Sequence, residues 1–275
     1  NNPLPALTDY RTRPLTDEVF YFVMTDRFSD GDASNNEGDI GDPLTSGGYD
    51  KTDAGYYHGG DLQGLTDKLG YIEDLGVTAI WLTPILTNKA VQGDSAGYHG
   101  YWTLDFTNID SHLGGNAGLR EFIAAAHERN MKVFFDIVVN HSADVIKFEQ
   151  CHNSDGSLLA GVSNCTYKSL AEVDAGLGYT PFIPSGEENA KTPAWLNDTQ
   201  FYHNQGESTF AGENSVYGDF SGLDDINTND VTVVDNFIEV FKDLIYDFRP
   251  DGFRVDTVKH VNTEFWQQFS PSILT

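Results

Sequence analysis

Apolar residues along this chain follow two rhythms. Residues 19–25, VFYFVMT, form a short apolar run of strand type, closed by the polar DRFSDGDASNN. Leu62, Leu65, Leu69 and Ile72 then recur at helical spacing through DLQGLTDKLGYIEDLG, with Gly76 as a stop, which predicts a helix. VTAIWLTP reads as a second buried strand, GLREFIAAAHERN as a helix, and KVFFDIVV as a third strand, nearly continuous in apolar residues. Strand, helix, strand, helix, strand is the pattern of a parallel sheet covered by helices.

From about Ser142 to Gly222 the rhythm dissolves into sequence rich in Gly, Asn, Ser and Thr. That stretch is too long for a loop and predicts a small inserted domain. The helix VVDNFIEVFKDLIYDF and the strand GFRVD then resume the alternation. The expected architecture is α/β: about the first half of a (β/α)8 barrel, with an insertion after the third strand. Residues 1–141 would be the first part of the barrel, 142–222 the inserted domain, and 223–275 the barrel continued through its third helix, fourth strand and the start of the fourth helix.

Composition narrows the partners. A formal net charge of −26 argues against nucleic acid or an anionic membrane surface, and suits a neutral ligand, bound cations, or simply solubility. No apolar run approaches the roughly 20 residues that span a bilayer. No basic and apolar leader opens the chain, so a secreted protein with its signal peptide already removed is expected. The two cysteines, Cys151 and Cys165, share one polar segment. A disulfide between them fits an extracellular protein, and two free thiols a reducing compartment.

In such barrels chemistry collects at the C-terminal strand ends. Two ends carry dense polar sets: Asp136, Asn140 and His141 on one, and Arg254, Asp256, Lys259 and His260 on the other. Alternation along RPDGFRVDTVKH puts Arg254 and Asp256 on one face, where a guanidinium can hold a carboxylate ionised. An ionised, held carboxylate suits a nucleophile.

The motifs DIVVNH and GFRVDTVKH, with YHGYW (98–102) and LGVTAIWLTP, resemble the signature regions of the α-amylase family of glycoside hydrolases. The likeness is strongest to secreted α-amylases and cyclodextrin glucanotransferases and runs from about residue 17 to 268. It implies that Asp256 is the nucleophile forming a covalent glycosyl-enzyme, that Arg254 holds it, and that His141 and His99 bind hydroxyls of the sugar at the cleavage point. Tyr101 would stack beneath that sugar, with Trp102 adding an aromatic face, while Lys259 and His260 reach sugars on the leaving side. The implied substrate is an α-1,4-glucan: starch, maltooligosaccharides or cyclodextrins.

The resemblance also implies Ca2+ at one or two sites, and oxygen-rich ligand sets suit that ion. One set is Asp30, Asp32, Asn35, Asn36, the Gly59 carbonyl and Asp61; the other is Asn140, Asp225 and the carbonyls of Val216 and His260. Asp224 rivals Asp225, although spacing to Asp256 favours Asp225. Ser221 stands where the transferases carry a large aromatic, which points to a hydrolase, whereas Phe210 is retained near where they stack an acceptor sugar. A glucanotransferase is therefore the alternative. A non-catalytic binding homologue would be expected to have lost Asp256, Arg254 or His141. The family's general acid and third carboxylate have no counterpart before Thr275, so the chain reads as a piece of a longer enzyme, inactive without its C-terminal part.

Overall fold

The computed structural model describes residues 9–40 and 44–274. Four strands, β1 (Phe20–Val23), β2 (Ala79–Leu82), β3 (Lys132–Ile137) and β4 (Gly252–Val255), form one sheet in that order. β1 pairs with β2 and β2 with β3 in parallel, with Phe22 opposite Trp81 and Trp81 opposite Phe134. Parallel neighbours in chain order require crossovers, and helices supply them.

The predicted helix after β1 is two: α1 (Leu62–Asp67) and α2 (Leu69–Asp74). The break falls at Lys68, whose N–H bonds the Leu65 carbonyl, so the turn tightens by one residue. Leu62, Leu65, Leu69 and Ile72 are nevertheless all buried, so the periodicity located the core face and missed only the break. α3 (Gly115–Glu128) packs on α1 and β3 and buries Leu119, Phe122, Ile123 and Ala126. Along the sheet, Ile80, Leu82, Val133, Phe135 and Ile137 lie on one face and are buried. On the other lie Phe20, Phe22, Trp81, Phe134, Asp136 and Arg254, and there Phe20 and Phe22 remain 43% and 50% exposed.

The chain forms two compact units. The first, residues 1–100, 108–137 and 244–254, holds the sheet with α1 to α3. The second comprises residues 101–107, 138–243 and 255–275, and the expected insertion, 142–222, falls inside it. Its core is aromatic: Phe237 of α4 (Val231–Phe248) meets Phe106, Trp195 and Phe265, while Phe241 meets Phe269 of α5 (Thr263–Ile273). Cys151 and Cys165 form a disulfide. A buried ion pair, Lys191 Nζ to Asp224 Oδ2 at 2.5 Å, ties distant parts of this unit together. Asp224 also accepts from the Val145 and Ile146 N–H groups.

Candidate active site

In the first unit, the end of β3 presents Asp136, whose side chain is fully buried. Arg254 Nη1 donates to both its oxygens at 3.0 Å, and Trp81 Nε1 donates at 3.1 Å. The Arg254 guanidinium lies 5.1 Å from the centroid of the Trp81 ring. Three neighbouring strands thus fix one arginine by charge, hydrogen bonds and an aromatic face. Asp136 was legible as a polar strand end; its role as the holder of Arg254 was not.

His99 lies in the YHGYW turn. Burial, and secondarily the Arg27 charge, push its pKa down to about 4, so it is a neutral imidazole near pH 7. Gly100 takes φ +88°, and a side chain there would run into the Pro84 carbonyl, so the turn that presents His99 requires glycine. Tyr101 and Trp102 are half-buried and begin the second unit.

In the second unit, His141 is 1% exposed. Asn140 Nδ2 lies 3.2 Å from His141 Nδ1, and an amide N–H donating there places the imidazole proton on Nε2. The oxygen end of the Asn140 amide is then the one that can face a cation. The His141 ring stacks on Phe220 at 5.3 Å, and Phe220 also meets Phe210 at 4.9 Å and His260 at 5.3 Å. His260 Nδ1 donates to the Ser215 carbonyl at 2.6 Å, which docks it on the helical turn Asn214–Tyr217 that contains Val216. Asp256 follows β4 directly and is half-buried, whereas Lys259 is exposed. Thr257, next to Asp256, takes φ +50°, a left-handed backbone unusual for a β-branched residue.

Asp225 stands opposite His141 in an antiparallel pair and is buried. Its Oδ2 lies 2.5 Å from His203 Nδ1, and burial pushes its carboxyl pKa well up. Asp219 is pushed up in the same way, by burial and then by Asp224 and Asp225. Burial lowers the His203 pKa to about 4, so that ring adds no positive charge near pH 7. Lys191 meets Asp224 as His203 meets Asp225, and of the two carboxylates Asp225 is the one with a neutral partner, so it is the candidate for the second cation set.

The first cation set is mixed. Asn35 Oδ1 and Asn36 Oδ1 are buried without any hydrogen-bond partner, an arrangement that a hard cation would satisfy. Gly59, at φ +84°, lets its backbone approach the Asn36 amide where a side chain would collide with it. Asp30 instead meets Lys51 Nζ at 2.7 Å, and Asp32 turns to Ser34. Asp61 caps α1 and takes four donors: the N–H groups of Gly31, Asp32 and Gly64, and Asn35 Nδ2. Among the described residues no three His, Cys, Asp or Glu side chains converge as a metal cluster, and amide and carbonyl oxygens make up half of the first candidate set and three of the four groups of the second.

Residues 22–270 match the α-amylase catalytic-domain family. The chain belongs to that family. It is 44% identical over 279 residues to an α-amylase of Streptomyces lividans, covering 94% of this chain and 30% of that protein. It is 31% identical to a cyclomaltodextrin glucanotransferase of a Bacillus species, covering 98% of this chain and 34% of that one. An Anoxybacillus α-amylase structure superposes with TM-score 0.65 at 30% identity, covering 95% of this chain and 45% of that one. The chain thus spans less than half the length of these relatives. The parallel sheet is that of a partial (β/α)8 barrel, the fold of this catalytic domain.

Phe220 was not singled out in the sequence, yet its ring lies on His141 and His260, whereas the next residue, Ser221, takes φ +55° and is exposed. A neighbouring aromatic in an otherwise matching segment was the available signal.

Proposed function

We propose that the chain is the nucleophile-bearing part of a retaining hydrolase of α-1,4-glucans. The observation that carries this reading is the family match together with Arg254, held in β4 on the buried Asp136, standing two residues before Asp256. Asp256 attacks the anomeric carbon, a C–O bond forms to its carboxylate, and the glycosidic C–O bond breaks. The leaving oxygen takes a proton from a general acid. Water, giving its proton to the conjugate base of that acid, then attacks the anomeric carbon; the C–O bond to Asp256 breaks, and this second inversion restores the original anomeric configuration. Neutral His99 and the Nε2–H of His141 hydrogen-bond sugar hydroxyls, Tyr101 and Trp102 offer stacking faces, and Lys259 and His260 reach sugars on the leaving side.

Calcium, when bound, would supply fixed positive charge and order rather than bond chemistry. Asn35, Asn36 and the Gly59 carbonyl, with Asp30, Asp32 and Asp61 around them, would hold one ion. Asn140, Asp225 and the carbonyls of Val216 and His260 would hold another. The disulfide supports a home outside the reducing cytosol.

The Phe210–Phe220 pair favours a second reading, transfer of the glycosyl group to an acceptor sugar, because an aromatic platform retains a sugar where water would otherwise attack. Starch digestion by the full-length protein, followed by NMR of the first products, tests both readings. Retained α-configuration with free oligosaccharides supports hydrolysis, elongated or cyclic products supports transfer, and inverted products would refute the Asp256 role.

A further inference from the structure

Away from the residues above, the second unit contains a groove of about 460 Å³, within the range of roughly 300–1,000 Å³ usual for ligand sites. The loop closed by the Cys151–Cys165 disulfide builds one wall, so this wall is covalently held. Tyr179 builds the other, and its ring is fixed on both counts that matter. It stacks on Phe148 at 4.7 Å, and its hydroxyl donates to the Thr166 carbonyl at 2.6 Å. Leu177, a large apolar side chain left 59% exposed, lies at the rim. Ser163 and Asn164 are exposed, and their side chains make no hydrogen bond among the described residues. Lys168 Nζ stands 5.7 Å from the Tyr179 ring centroid.

No Asp or Glu lines this groove, in a chain of net charge −26. A carboxylate-free patch with apolar faces beside the amide of Asn164, the hydroxyl of Ser163 and the Lys168 ammonium matches a ligand that is neutral, rigid and rich in hydroxyls. Pyranose rings have that chemistry, with C–H faces for Leu177 and the Tyr179 edge, and hydroxyls for Asn164, Ser163 and Lys168. We infer that the groove is a second saccharide site, which holds a segment of α-glucan while another part of the polymer is cleaved. This inference rests on the glucan reading above.

Leu177→Glu and Asn164→Ala test it in the full-length protein, since both residues are exposed and neither belongs to the proposed catalytic set. Electrophoresis in gels containing amylopectin reads polymer affinity, and turnover of maltotriose reads the catalytic site. The expected result is retardation by amylopectin weakened roughly tenfold, about 1.4 kcal/mol on the affinity scale, with maltotriose turnover and melting temperature unchanged. Wild-type retardation in both variants, with maltotriose still cleaved, would overturn the second site alone. A wild-type protein that neither cleaves maltotriose nor is retarded by amylopectin would overturn the glucan reading itself.

Discussion

Arg254 donates to both oxygens of a carboxylate that water does not reach, and that makes Asp136 the residue that fixes the direction of Arg254. Removing one partner of a buried ion pair costs about 3–5 kcal/mol, but Arg254 is 38% exposed, which reduces the expectation to roughly 1–3 kcal/mol. Asp136→Ala should lower the melting temperature and reduce kcat more than it raises KM, because Arg254 loses its fixed direction while substrate contacts remain. Unchanged melting and unchanged kcat would remove Asp136 from the account. Alternation along β4 made the Arg254 face legible in sequence, whereas its partner lies 118 positions away and required the strand order to be known. Phe220 escaped for a different reason. Its ring reaches His141, 79 positions away in sequence, through packing that no local pattern records.

At the scale of elements, apolar runs identified the four strands because both sheet faces are largely lined by apolar side chains. The second unit was harder to read, since its order comes from long-range pairs: a disulfide, Lys191 on Asp224, and Asp225 opposite His141. Another such device joins loops of the first unit. His112 Nδ1 meets Asp110 Oδ1 at 2.7 Å and Nε2 meets the Gly47 carbonyl at 2.8 Å, so both nitrogens face acceptors and the ring suits an imidazolium. Tyr57 stacks on it at 3.8 Å, and Asp26 adds a more distant negative charge. Burial opposes the charge, but the hydrogen bond to Asp110 and its carboxylate outweigh it, so the His112 pKa is raised. A raised folded-state pKa gives stability that is fully present below the unfolded value, about 6.5, and is lost as pH rises through the folded value. The melting-temperature gap between wild type and His112→Gln should therefore be widest below about pH 6.5 and narrow on raising pH. A gap independent of pH between 5 and 9 would mean that the ring is neutral throughout.

For the molecule as a whole, a charge of −26 and several buried carboxylates set an electrostatic problem that bound cations would relieve. The two buried amide oxygens of Asn35 and Asn36 mark where one would sit. Chelation should lower the melting temperature, because a ligand bound only by the folded state stabilises it by mass action. Asn36→Ala should shrink that shift, and calorimetric titration of the chelated protein with calcium should show the lost site. A melting curve that chelator does not move would remove calcium from the account. Family membership was legible from four short motifs because three of them carry strand ends with polar or turn residues of fixed type, and the fourth, YHGYW, is a turn of fixed aromatic, His and Gly residues. The central claim is that Asp256 becomes glycosylated, and a fluorinated α-glucosyl substrate that loads the nucleophile but releases slowly tests it most directly in the full-length protein. Peptide mass mapping should find one glycosyl group on the peptide that contains Asp256, and none in Asp256→Asn; a label on any other carboxylate would contradict the account.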